Sequence, residues 1–348
     1  MDRVYYSEHV ADFLPPRLVD FHTHIWLRAF QDAAPVETRG PTWPMRVAAD
    51  NSVEDLRETY RLILPGRRVT PVVFGWPERD TDLDRSNAYV SEMAQKHGYP
   101  ALLMNVPEWT AEELERRVTA GGFVGLKPYL NRAPLDIPSA EITVYDFLPH
   151  AHLEVAEAHG WIVLLHIPRP GRLQDPANLA AMLDIERRYP NAKLVYAHIG
   201  RAYCPEDLGN ALEVLADTER MHFDFSANTC AEVMEAALRA FGPQRLVFGS
   251  DLPIVRMRMR RICDNGGYVN LVPPGLYGDT TGDPRMREVS PEEGSTLSFF
   301  LYEMLYAFRR AAEAIGLSTA DVEDVFCNNA LRLLNAQSSS SEQLRVAA

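Results

Sequence analysis

The chain has 348 residues, 46% hydrophobic and 24% charged, enough apolar material for one large barrel or two ordinary domains. Lys and Arg number 35 against 48 Asp and Glu, a formal charge of −13, which repels a phosphate backbone and argues against a nucleic-acid partner.

Residues 1–17 read as a lead-in. The segment MDRVYYSEHVADFLPPR is broken by charges where a signal peptide needs an unbroken apolar stretch, and no later run reaches the length of a membrane span. The expectation is a soluble, cytoplasmic protein with no membrane contact.

From residue 18 onward, strand-sized apolar runs alternate with segments patterned at helical spacing. The runs are LVDFHTH (18–24), VTPVVFG (69–75), ALLMNV (101–106), FVGLKPY (123–129), WIVLLHI (161–167), KLVYAHI (193–199), MHFDFS (221–226) and RLVFGSD (245–251). Near-continuous hydrophobicity is what a parallel strand covered on both faces requires, because neither side meets water. The crossovers then fall to helices at 53–64, 86–98, 111–122, 150–160, 176–190, 205–217 and 231–242, several of which stop at Gly or Pro. A doubly wound open sheet would use the same elements. The polar residues, however, sit at the C-terminal ends of strands spread over the whole series, which suits a closed ring: an α/β chain folded as a (β/α)8 TIM barrel.

Long loops follow strand one (25–52) and strand eight (252–291), and both should lie over the active face, the latter as a cap. Extra C-terminal helices follow, beginning with an apolar one at 294–316 whose aromatic excess suggests burial on two sides and a homodimer contact. The barrel domain runs to 336, and 337–348 reads as a flexible tail.

His22 and His24 lie two apart at the end of strand one, and the strand period of two turns both imidazoles to the same side, the barrel interior. An isolated H-x-H pair means little. Here His166 ends strand five, His198 ends strand six and Asp251 ends strand eight, so five ionisable residues share equivalent rims. The remaining histidines, His9, His97, His150, His152, His159 and His222, have no such placement and read as structural or surface residues. Imidazoles with one carboxylate suit a divalent transition metal, zinc first, with manganese or iron also fitting.

The segments DFHTHIW, GLKPY, LLHIPRPG, AHIGRAY, FDFS, FGSDLP and NNALRLLN together resemble the amidohydrolase superfamily. The resemblance is to its amidohydrolase-related (amidohydrolase 2) branch, which includes enzymes like aminocarboxymuconate-semialdehyde decarboxylase. It spans residues 18 to about 335. It implies one metal held by His22, His24, His166 and Asp251, with His198 beside the reacting group as acid/base or further ligand. Lys127 in GLKPY is implied to be an amine that orients substrate or sets the local field; in binuclear relatives a lysine at this position is carbamylated.

Arg169, Arg172, Arg201, Tyr203 and Trp26 are the loop candidates for substrate binding, and the arginine forks suggest a small substrate carrying a carboxylate. The leading expectation is hydrolysis of a lactone or amide by a metal-activated water, with Asp251 moving the proton and His198 polarising the carbonyl. The alternatives are non-oxidative decarboxylation of a carboxylated unsaturated or aromatic compound, and a barrel that binds metal or ligand without turnover. Three weaker signals take bland readings. Cys204, Cys230, Cys263 and Cys327 are scattered without a C-x-x-C pair and imply no disulfide; RMRMRR (256–261) reads as a solvated or acid-paired loop face; the Gly pair at 121–122 ends a helix.

Overall fold

The computed structural model describes residues 2–31 and 43–335. Part of the loop expected after strand one (32–42) and the expected tail (337–348) fall outside the described residues.

The apolar runs form a ring of parallel strands. β1 (Arg17–His24) pairs with β2 (Arg68–Phe74) from Arg17 opposite Arg68 to His24 opposite Phe74. An extended segment joins the ring next, with Val73 opposite Ala101 and Leu103 opposite Leu126. β3 (Gly125–Leu126), β4 (Ile162–Leu165), β5 (Lys193–Tyr196), β6 (His222–Asp224) and β7 (Leu246–Val247) continue it in sequence order. The chain beyond β7 returns to β1 and closes the barrel: Phe21 N donates to Phe248 O (2.8 Å), Asp251 N to His22 O (2.8 Å) and His24 N to Leu252 O (2.9 Å). Gly249 permits this approach, because a Cβ there would stand 2.8 Å from His22 Cβ. At Asp20 the seam gains a side-chain tie, its carboxylate accepting from Ser250 N (2.7 Å) and from Tyr60 Oη (2.8 Å).

One apolar cluster fills the interior: Val19 and Phe21, Val72 and Phe74, Leu102 and Met104, Ile162 and Leu164, Val195, Ala197 and Val247. It is joined by Cys327, Ala330, Leu333 and Leu334 of the C-terminal helical segment. A larger cluster lies between strands and surrounding helices. Simple alternation would place His22 on the opposite side from Phe21. The register of β1 shifts between Asp20 and Thr23, three residues spanning what β2 covers in two. This bulge rephases the strand so that both histidines face inward, a device common beside active sites.

Helices start and stop where their caps dictate. Ser52 and Asp55 form a capping box before Val53–Ile63, Asp82 caps Leu83–His97, Thr110 caps Ala111–Gly121, and Asp175 caps Pro176–Arg188. The helix expected over 205–217 is instead two short turns, Pro205–Leu208 and Ala211–Val214, separated by Gly209 at φ 47°. Asp207 explains the interruption: its carboxylate turns back to accept from Tyr203 N and Cys204 N (both 2.9 Å) and from Arg172 Nη1 (2.6 Å). The two-sided apolar helix, Phe300–Ile315, buries its aromatics within the chain, against Ala231–Phe241 and the N-terminal helix Asp2–His9. No helix among the described residues is long and apolar enough to cross a membrane.

Residues 252–291 fold as an antiparallel hairpin, β8 (Arg260–Asp264) and β9 (Gly267–Val272), with β10 (Met286–Glu288) parallel to β9. The expectation of no disulfide is corrected here. Cys204, after β5, is bonded to Cys263 on β8, with Cα atoms 5.8 Å apart. Sequence spacing missed it because 59 residues separate the pair and only the fold of the hairpin over the rim brings them together. Cys230 and Cys327 remain free thiols.

Two outcomes test this description. Thiol titration of the unfolded, unreduced protein should find two reactive cysteines, and reduction should lower unfolding stability by about 2–4 kcal/mol for a loop this long; four thiols would refute the bridge. Asp20 is fully buried, and desolvation lifts its carboxyl to about 7, against an ordinary 3.8. The folded state therefore holds a proton that the unfolded chain releases, and this group's contribution to stability is full below about pH 4 and lost as pH rises through 7. Asp20→Asn should remove that slope, so its stability relative to wild type should improve between pH 4 and 8 by on the order of 2–4 kcal/mol in chemical denaturation.

Candidate active site

Two of the five rim residues, His22 and His198, are tied to one organising carboxylate that lies outside the set expected from sequence. Asp224, at the end of β6, accepts from His22 Nδ1 (2.9 Å), from His198 N (2.8 Å) and from Ser226 N (2.9 Å). A carboxylate can only accept, so His22 carries its proton on Nδ1 and turns a bare Nε2 inward. That nitrogen is buried with no hydrogen-bond partner. The same logic fixes two neighbours: His24 Nδ1 donates to Gly75 O (2.9 Å) and His198 Nδ1 to Ser226 O (2.8 Å), leaving both Nε2 atoms as acceptors on the site side.

Asp251 faces the first pair, its Oδ1 3.4 Å from His24 Nε2 and 3.6 Å from His22 Nε2. His166 completes a second group with His22 and His198. Its Nε2 lies 2.8 Å from His198 Nε2, and its Nδ1 lies 2.9 Å from Lys127 Nζ. With the His198 proton on Nδ1, the hydrogen between the two rings belongs to His166. The expected ligand set is thus divided: His22, His24 and Asp251 make one compact triad, and His166 shares His22 with His198.

Electrostatics follow from burial. Desolvation, reinforced by the Lys127 charge, drives His22 down to about 3; the same causes drive His166 well down, and desolvation lowers His198. All three imidazoles are neutral at pH 7. Burial also pulls Lys127 down to about 7, against the pull of Asp224 and Asp251. For Asp251 burial acts upward, but the close approach of His24 and the neighbouring His22 and His198 outweigh it and hold the carboxyl below its ordinary value. Asp224 is likewise held low, burial being overcome by its bonds to His22, His198 and Ser226.

Backbone strain concentrates here. His198, Ile199, Gly200 and Arg201 run left-handed in succession (φ 57°, 50°, 60° and 60°), and Arg172, Ala227 and Asp251 also have positive φ. Among the described residues the remaining non-glycine case is Asn265. Each such residue costs on the order of 1–3 kcal/mol and persists where packing overdetermines it, typically at functional sites. β5 accordingly stops at Tyr196, short of the predicted 199, and His198 stands on the left-handed turn beyond it.

Above this floor is a cavity of about 520 Å³, lined by His24, His166, His198, Asp251, Trp76, Glu78, Tyr129, Arg172, Arg201, Tyr203, Arg261, Tyr268 and Arg285, among others. The hairpin supplies Arg261 and Tyr268, and Trp43–Arg46 supplies Trp43.

Residues 19–266 match the amidohydrolase family model of the amidohydrolase 2 type. The chain belongs to the amidohydrolase family. No curated protein matches it in sequence. Among solved structures it is similar to a probable 2-pyrone-4,6-dicarboxylic acid hydrolase from Acinetobacter baumannii with citric acid bound (TM-score 0.55, 16% identity, 91% of this chain and 99% of that one). It is also similar to an amidohydrolase from Burkholderia multivorans with bound zinc (0.52, 16%, 91% and 98%). A third is 5-carboxyvanillate decarboxylase from Sphingomonas paucimobilis (0.50, 14%, 92% and 99%). At these identities the likeness is one of fold, and the fold is the α/β barrel described above.

The floor of this amidohydrolase fits a divalent metal. Its donors are neutral imidazole nitrogens and a carboxylate, two triads of ligand atoms each lie within 4.8 Å of one another, and the buried His22 Nε2 lacks a partner.

The loop candidates part company. Arg172, Arg201 and Tyr203 line the cavity, although Arg172 is already paired with Asp207. Arg201 Nη1 donates to Ile167 O (3.1 Å) and Pro168 O (3.0 Å). Lys127 lies beneath the cavity, behind His166. Trp26 stacks behind Trp76 (4.3 Å between ring centres) and donates to Ala49 O; Arg169 contacts Glu141 O instead. Neither is in the lining.

Sequence reading missed Asp224, Glu78, Trp76, Tyr129, Tyr268, Arg261 and Arg285. Asp224 was legible in kind, being one more polar residue at a strand's C-terminal end. Arg261 was not: the expectation of a solvated or acid-paired face for RMRMRR holds at Arg258, paired with Asp2, and at exposed Arg260, and is corrected at Arg261, which is 9% exposed with no carboxylate among the described residues pairing with it.

Asp224→Asn should keep the fold and weaken metal retention about 10–100-fold, measured as metal per chain after dialysis against graded chelator. Unchanged retention would remove Asp224 from its orienting role.

Proposed function

We propose that the chain is a metal-dependent hydrolase of a small carboxylate-bearing substrate with a lactone or amide bond. The observation that carries this reading is the convergence of Asp251 Oδ1 on the Nε2 atoms of both His22 and His24 at the floor of a cavity whose walls carry cations. His22, His24 and Asp251 would hold the ion, zinc first by donor type, with His166 as a further ligand. When bound, the metal supplies Lewis acidity to a carbonyl or a water.

The chain's own residues do the rest. Asp251, ionised at neutral pH, takes the proton of the attacking water on its carboxylate and returns it to the leaving oxygen or nitrogen. His198, a neutral imidazole anchored through Nδ1, turns a bare Nε2 to the site side, where it takes up a proton as a base or serves as a further metal ligand. Arg201 offers its guanidinium to a substrate carboxylate, having carbonyl oxygens and no carboxylate as partners among the described residues. Tyr129, Tyr203 and Trp76 give the walls apolar faces that fit a planar ring.

One observation favours a second reading, loss of carbon dioxide. Burial raises the Glu78 carboxyl to about 7, so the cavity holds a group still partly protonated at neutral pH. Decarboxylation needs such a donor at carbon.

Activity on a panel of lactones, amides and carboxylated rings separates the readings: solvent ¹⁸O entering the product marks hydrolysis, and released carbon dioxide marks decarboxylation. Asp251→Asn is expected to cut hydrolysis by about 10³-fold or more. Full turnover in that variant would end the proton-shuttle assignment, and no turnover by metal-loaded wild type on any panel member would favour a binding barrel.

A further inference from the structure

The Cys204–Cys263 bridge joins two segments that each carry part of the active cavity's wall. Cys204 directly follows Tyr203, and Cys263 lies two residues beyond Arg261; Tyr203, Arg261 and Tyr268 all line the cavity. Their packing crosses the seam that the bridge closes. The Tyr203 and Tyr268 rings meet edge-on at 5.0 Å, and the Arg261 guanidinium lies 5.0 Å from the first and 4.1 Å from the second.

The hairpin is held unevenly along its length. At its root Met259 N donates to Ser298 O (3.0 Å), and Arg258 pairs with Asp2 (2.5 Å). The rung of Arg261 opposite Asn270 is fixed as well, since Arg261 Nη1 donates to Ala227 O (2.6 Å) and Nε to Asn270 Oδ1 (2.9 Å). Beyond that rung lies the tip, Ile262 to Val269, which turns at Asn265 and Gly266. Its side chains find polar partners in the loops over the cavity: Arg287 pairs with Asp264, and Trp43 Nε1 donates to Tyr268 Oη (3.4 Å). Among the described residues, the covalent or polar tie from this tip to the barrel rim is made at Cys263.

The bridge is open to attack from one side. Cys263 is exposed and lines an outer crevice of about 380 Å³, whereas Cys204 is fully buried. A thiolate therefore reaches the Cys263 sulfur, and Cys204 is the group that leaves. The departing sulfur accepts from Asp207 N, which favours it as a thiolate. Cys230 lines the same crevice, but burial pushes its thiol up, so the attacking thiolate comes from outside the chain.

We propose that the Cys204–Cys263 bridge is an exchange site for a dithiol reductant, and that its reduction frees the hairpin tip about the Arg261–Asn270 rung and opens the Tyr203–Tyr268 wall of the cavity. The reductant's thiolate bonds to Cys263 Sγ and expels Cys204 as a thiolate. Its second thiol, deprotonated, then displaces Cys263, so the reductant ends as a disulfide and both cysteines as thiols. Two electrons pass to the bridge, and a disulfide oxidant reverses the reaction. The inference rests on the bridge and the hairpin alone, whatever bond the floor beneath them cleaves.

The test compares the full chain in its bridged form, after reduction with dithiothreitol, and as the Cys204→Ser/Cys263→Ser double variant. Labelling times are kept to those over which β1 to β7 of the bridged protein stay protected. Amides of residues 262–269 should then exchange at least about 10-fold faster in both unbridged forms, with β1 to β7 still protected. Oxidative footprinting of the double variant should label Tyr268 at least about 3-fold faster than in the bridged protein, and oxidised glutathione should return the reduced protein to the bridged exchange pattern. The proposal is overturned if dithiothreitol leaves the bridge intact until the chain unfolds, or if the tip amides and Tyr268 do not respond. Protection lost equally across β1 to β7 overturns it too, since the bridge would then staple the whole fold rather than fasten the cap.

Discussion

The Asp224 carboxylate is the constraint on which the centre of this barrel depends. It is fully buried, and an anion so placed must be met by donors on nearly every lone pair. Meeting it fixes the His22 tautomer, the backbone amide that begins the His198 turn, and the position of Ser226. Once Asp224 is satisfied, the imidazoles have one remaining freedom, and their Nε2 atoms point at a common space. Asp251 adds a second anion, and Lys127 is a buried ammonium set against the pair. Between neutral rings, such a floor has an excess of negative charge that a divalent cation relieves.

Backbone geometry shows the same arrangement from another side. A strand that simply ended would point His198 along the barrel wall; the left-handed run from His198 to Arg201 lifts the imidazole over the floor and turns the guanidinium into the cavity within four residues. The β1 bulge does comparable work, adding one residue so that two histidines and the preceding apolar pair all face inward. Neither conformation is intrinsically favourable. Both are held by the packed interior around Phe74, Leu164 and Val195 and by the hydrogen bonds that close the ring at Phe248 and Leu252.

These features explain what could be read from the sequence. Near-continuous apolar runs and helical patterning located the barrel strands and most crossover helices, because burial on both faces leaves an unmistakable apolar run. The polar rim was legible for the same reason: polar residues ending such runs stand out. The helix at 205–217 was misjudged because Asp207 serves a turn and Arg172 through its side chain, an effect invisible to hydrophobic periodicity. The Cys204–Cys263 bridge and the burial of Arg261 were hidden for a related reason. Both depend on where an antiparallel hairpin lands, and a run of basic residues looks alike whether it faces water or a ring of tyrosines.

Three of the four arginines of the cavity wall differ in how their charge is met, and the difference sets them apart. Arg172 is matched by Asp207 and stiffens the loop beneath Tyr203. Arg201 is held by main-chain carbonyls, which orient a guanidinium without cancelling its charge. Arg261 is held by an amide, a carbonyl and aromatic faces, the least neutralising set of the three. The family match ends at residue 266, inside the turn between β8 and β9, so Tyr268, Asn270 and Arg285 lie beyond it. The match therefore takes in the whole polar floor, from His22 to Asp251, together with Arg261 on the first strand of the hairpin.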